Sequence, residues 1–220
     1  MRALWYDVFK DGKSIKDAPQ DMLAEENDLA WRSNVETMNT RFFTVIQEDN
    51  EEVAGAVVHL TDIKDYDSLV DFMGKVPWIV HDFAAGGVFP FTNFVSVQKL
   101  FHQNNKYQGI ELIKRLKPFT SSPTITWYVV LSAKKESQSG YDKSYGLDDA
   151  LQSFRLLKGD IAEEVFDLQE PEQGKFLRIK ANDRPEIQHY VNEFASVREG
   201  VVNVLILRAK STCVWDFSFF

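Results

Sequence analysis

The run Ile125 to Ala133 (ITWYVVLSA) constrains this chain most. It is apolar at both alternating sets of positions and rich in β-branched and aromatic residues, so it reads as a central strand covered on both faces. Such a strand needs neighbours in a sheet and further layers above and below it. The sequence after it supplies them. Leu147 to Leu157 reads as a helix with Leu147, Leu151 and Phe154 on one side, Lys175 to Lys180 as a strand, and Val201 to Leu207 as another buried strand. Between the last two, Arg184 to Val197 has a helical stripe of Ile187, Tyr190, Val191, Phe194 and Val197, with Pro185 in its first turn and Gly200 beyond its end. The acidic stretch Ile161 to Leu168 reads as more helix, and Lys134 to Tyr145 as a long polar loop.

The first half is less regular. Ala3 to Phe9 alternates like a strand, and Asp11-Gly12 suits a hairpin turn into Lys13 to Lys16. Gln20 to Arg32 reads as a helix, Arg41 to Gln47 and Val53 to Leu60 as strands, and Asp67 as the N-cap of a short helix to Met73. Pro77 opens a strand, WIVHDF, followed by a loop, AAGGVFPF, and a helix capped by Thr92 with Phe94, Val97, Leu100 and Phe101 on one face. Gln108 to Leu116 reads as a further helix. The fold class expected is α/β or α+β, a mixed sheet with helices packed on it, in one domain over residues 1–220 that could subdivide near 137–145.

Charge and cysteine usage narrow the setting. A net charge of -8 weighs against general nucleic-acid binding, which needs a basic surface. Cys213 is the single cysteine, so neither an intrachain disulfide framework nor a multi-cysteine zinc site can form, and a reducing, cytoplasmic compartment is expected. The N-terminus lacks a signal-peptide pattern, and no apolar run approaches the roughly 20 residues that span a bilayer.

Motifs are few. Gly12-Lys13-Ser14 ends like a phosphate-binding loop, but Asp7 stands where that loop needs a glycine. Glu186 and His189 have the spacing of a helical metal pair without the second copy such sites need, and read as a solvated helix face.

One constellation remains. VVHLTD leaves His59, Thr61 and Asp62 at its carboxyl end, WIVHDF leaves His81 and Asp82, and YVVLSAK leaves Ser132 and Lys134. If these strands were parallel neighbours, imidazoles and carboxylates would gather where open sheets bind ligands, with His59, His81 and Asp82 as acid–base groups or metal ligands. Gly86, Gly87 and a helix starting at Thr92 would offer an anion site beside them, with Ser132 and Lys134 as further ligand contacts. No metal or other cofactor is assigned.

Two functional expectations follow. One is a non-enzymatic binding or regulatory protein acting through contacts with another protein, or by self-association through the C-terminal strand, where Trp215, Phe217 and Phe219 alternate with polar residues. The other is an α/β enzyme for a small anionic or phosphorylated ligand. The sequence leaves open whether the chain is an enzyme.

Overall fold

A computed structural model describes residues 1–36, 41–60, 63–96, 125–169 and 171–211. The chain groups into two compact units, Met1–Thr92 with Leu207–Phe220, and Asn93–Ile206. The fold is α+β, and every strand pairing described is antiparallel. No helix among the described residues is long and apolar enough to cross a membrane.

The first unit runs β1 (Arg2–Phe9), α1 (Gln20–Glu36), β2 (Arg41–Ile46), β3 (Val53–Leu60), α2 (Tyr66–Met73), α3 (Pro77–Val80) and β4 (Ala84–Ser96). Its strands lie in the order β4-β1-β3-β2, and Ala209 to Ser211 pair with β2. Alternation along β1 explains its placement. Ala3 and Trp5 join Ala56, Val58 and Leu60 of β3 in a core with Met22 and Leu23 of α1, Leu69 of α2 and Trp78 of α3. The intervening residues face the other side of the sheet.

The second unit repeats that order: β5 (Ile125–Ala133), α4 (Tyr141–Ser144), α5 (Gly146–Lys158), β6 (Ala162–Leu168), β7 (Gly174–Ile179), α6 (Arg184–Asn192), α7 (Ala195–Arg198) and β8 (Val202–Ser211). Its strands lie in the order β8-β5-β7-β6. The run that reads as a central strand is one: Trp127, Val129 and Leu131 enter a core with Leu156, Leu177, Ile179, Ile187 and Val191, while Tyr128 stacks on Phe176 on the opposite face. Segment 137–145, the expected subdivision, is a short 3-10 turn and α4 within this unit.

Several local expectations are corrected. WIVHDF is not a strand: Pro77 at the first helical position and the extended Val76 before it start the four-residue α3 instead. AAGGVFPF is not a loop but the start of β4, which runs through Thr92 to Ser96, so Thr92 caps no helix. Ile161 to Leu168 is mostly strand, with Ala162, Glu164, Val165, Phe166 and Leu168 buried. Lys13 to Lys16 is no strand but leads into a 3-10 turn, Ile15–Asp17, capped by Ser14, and Asp65 rather than Asp67 caps α2. On α5 the side bearing Leu147, Leu151 and Phe154 faces outward, and Asp149, Gln152, Ser153, Leu156 and Leu157 are buried. The helix expected over 108–116, the final strand at 215–219 and Cys213 lie outside the described residues.

Candidate active site

The strand-end constellation does not assemble. His59 is buried on β3, on the sheet face away from the helices, 5.9 Å from the Phe43 ring and 6.4 Å from that of Phe91. His81 caps the C-terminal end of α3 in the open, its Nε2 3.5 Å from Glu25 Oε2. Asp82 makes the turn after it at φ 56 and pairs with Lys10 at the surface. Gly86 and Gly87 lie within β4 opposite Asp7 and Tyr6, where a Cβ would meet the Tyr6 carbonyl oxygen and the Tyr6 ring. Close strand packing accounts for that glycine pair. Ser132 and Lys134 belong to the second unit, Ser132 opposite Gly174 and Lys134 donating its backbone N–H to Val201. Thr61 and Asp62 lie outside the described residues.

A different pair of residues meets in the first unit. Asp7 sits on β1 at the same inward parity as Ala3 and Trp5 and is fully buried. Its Oδ1 accepts the Ala56 N–H at 3.0 Å, and its Oδ2 has no partner. Glu26 follows Met22 and Leu23 at helical spacing, so α1 carries it onto the buried face, where Oε2 is also unpartnered. Burial pushes the Asp7 carboxyl up to about 7, against the Ala56 hydrogen bond that favours its charge. Burial, then repulsion from Asp7, pushes Glu26 up to about 8, while the indole and backbone N–H of Trp78 pull it the other way. Two carboxyls in one dry site cannot both ionise cheaply, so near neutral pH they hold protons that free carboxyls would have released.

Aromatic rings close the surroundings. Phe9, Trp78 and Phe83 form a triangle with centroids 5.1 to 5.3 Å apart, and Trp5 Nε1 is buried without a partner. At the rim, Glu25 and His81 are exposed on the same elements, α1 and the end of α3, that bring Glu26 and Trp78 together.

The second unit holds a closed counterpart. Trp78 is the second residue of α3, and Ser196 is the second residue of α7; their carbonyls accept from Phe83 and Val201, five positions on in each case. In the Glu26 role stands Asp149, fully buried, which accepts the Ser196 N–H at 3.2 Å and the Tyr141 hydroxyl at 2.7 Å. Opposite Gly55 lies Val8, and opposite Gly174 lies Ser132, so Leu131 takes the place of Asp7. At this joint the first unit has two carboxyls with an open oxygen each; the second has one carboxyl group, that of Asp149, with both oxygens bonded. Asp149→Ala is expected to leave a buried hydroxyl and N–H unpaired and to lower stability by about 3 kcal/mol, read by urea unfolding.

No protein-family model matches the sequence, and no curated protein matches it. Solved structures do. A mutant chlorite dismutase from Candidatus Nitrospira defluvii matches with a TM-score of 0.55 and 9% identity, covering 98% of this chain and 93% of that one. A second mutant of that protein, in complex with cyanide, matches with a TM-score of 0.54 and 10% identity, covering 98% and 92%. The likeness establishes a shared fold. The matched proteins that share it are chlorite dismutases, which are enzymes, and that stands against the expectation of a non-enzymatic binding or regulatory protein. The enzyme for a small anionic or phosphorylated ligand fares no better, since the described pairings are antiparallel, His59 is buried within β3 and His81 is exposed at the end of α3.

The signal for the real pair was present in the sequence. Asp7 interrupts the inward set Ala3, Trp5, Phe9, and Glu26 continues the apolar spacing of Met22 and Leu23. A carboxylate on a face that should be apolar marks such a site better than polar residues at strand ends do.

Proposed function

We propose that this chain is an enzyme whose first unit performs general acid–base catalysis with Asp7 and Glu26 as a proton-sharing pair. The observation that carries it is the joint burial of the two carboxyls, each raised to near neutrality and each with one oxygen unpartnered. Near neutral pH one carboxyl of the pair can hold a proton while the other takes one up, so that together they serve as acid and base. The substrate is small, uncharged and apolar in body, because an anion would be desolvated among Trp5, Phe9, Trp78 and Phe83, in surroundings that already disfavour the charge of two carboxyls. It enters between α1 and α3, past the exposed His81 and Glu25 at the rim. The setting is cytoplasmic, a reading supported by the lone Cys213.

Cyanide binds metal centres, so a metal or haem group has to be weighed here. An axial haem ligand is foremost a His, Cys or Tyr, and Asp7, Glu26, Trp5 and Trp78 supply none. Among the described residues no three of His, Cys, Asp and Glu gather as metal ligands. The site does not fit such a group, and no step of the proposal uses one.

The test is solvent-deuterium incorporation into a panel of small carbonyl compounds, read by proton NMR. Asp7→Asn is expected to slow the exchange by about a hundredfold or more. Infrared spectroscopy near pH 7 should show a neutral carboxyl band that weakens in Glu26→Gln. Undiminished exchange in both variants would overturn the proposal.

A further inference from the structure

We infer that α5 is the contact surface of a two-fold dimer of this chain. The helix carries apolar side chains on both sides: its inward face places Leu156 and Leu157 in the core beside Asp149, Gln152 and Ser153, and its outward face holds further large apolar side chains. Leu147 is 74% exposed, Leu151 48% and Phe154 56%, and with the exposed Ala150 they fall at i, i+4, i+7 and i+3. That is the spacing of a face that another helix covers. Inward, the helix is already fully engaged, by the clasp between Asp149, Tyr141 and Ser196 and by Leu156 and Leu157 in the core. The outward apolar set is left for a partner.

Charge placement identifies the partner as a second copy. Asp148 lies three residues before Leu151 and Arg155 four after it, both exposed and both on the same flank of the stripe. When two such helices cross antiparallel about a two-fold axis near Leu151, each Asp148 comes opposite the other copy's Arg155. Leu147 then meets Phe154, and Ala150 meets Leu151. A self-complementary patch is what an isologous interface requires, and the paired charges fix its antiparallel direction. The inference is independent of the Asp7–Glu26 reading, since α5 belongs to the second unit.

Sedimentation of the intact chain over a concentration series tests it. The wild type is expected to run as a dimer. Leu151→Glu and Phe154→Glu should each halve the mass and raise the dissociation constant at least about thirtyfold, with unchanged circular dichroism because both side chains are at the surface. Asp148→Arg should weaken the dimer, and adding Arg155→Asp should restore it, a rescue that a contact with any other protein would not give. A wild type that stays monomeric throughout, or a dimer indifferent to Leu151→Glu and Phe154→Glu, overturns the inference.

Discussion

The wild-type protein is expected to lose stability as pH rises from the acid range through 8, and Glu26→Gln and Asp7→Asn are expected to abolish most of that loss. The ordinary values of the two carboxyls are 3.8 and 4.5, and folding raises them to about 7 and about 8. Between these limits the folded chain binds protons that the unfolded chain has released, so unfolding is favoured increasingly as pH climbs. The stabilisation is complete below the unfolded values and gone above the folded ones. Carrying one carboxyl from 3.8 to about 7 corresponds to about 4 kcal/mol, and even half of that is large beside the roughly 5 to 15 kcal/mol that holds a domain folded. Urea midpoints at pH 5, 7 and 9 read the effect. Each amide variant should match the wild type at the acid end and exceed it at pH 9, since Asn and Gln keep an oxygen as acceptor without a charge to bury. A wild-type stability that is flat from pH 5 to 9 would show that the pair is not held protonated.

The second large effect concerns Gly55 and Gly174. Both sit at the start of an inner strand at positive φ, 148 and 140, and a Cβ would come within 2.1 Å of the Asp7 carbonyl oxygen or 1.9 Å of the Leu131 carbonyl oxygen. Neither oxygen belongs to a flexible side chain; each is part of a neighbouring strand in the ladder. Gly174→Ala and Gly55→Ala should therefore cost about 4 kcal/mol or more, through both clash and backbone strain. Gly140→Ala is the control: no heavy atom lies within 4 Å of its Cβ position, and the change should stay within about 0.5 kcal/mol. Urea unfolding of the three variants separates these outcomes, and equal costs at all three positions would sink the argument.

Much of the fold was legible because periodicity reports burial. The double-sided run of β5 and the alternation of β1 each found their element; the stripe beginning at Ile187 found α6, but the single helix expected to Val197 breaks at the extended Phe194 into α6 and α7. The α3 and β4 region misled for a physical reason. Four residues after a proline can start a helix or a strand with equal local ease, and Gly86 and Gly87 look like turn formers when they serve the close approach of β1. α5 misled in another way: its outward stripe is as regular as an inward one, and only packing shows which side the core is on. The Asp7–Glu26 pair was hidden because its members are 19 positions apart on different elements, and neither lies in a recognised motif.

The clasp between first helix and short pre-strand helix has one more implication. In the second unit the carboxylate binds the main chain of Ser196, and in the first the N–H of Trp78 approaches Glu26 in the same way. The main-chain part of this contact tolerates any residue at the receiving position, as the contrast between tryptophan and serine illustrates, while the Trp78 indole adds a side-chain bond of its own. Selection can then hold the architecture while the letters drift. A chain built on such joints is easier to relate to others by its shape than by its spelling, which fits a fold shared at 9% identity.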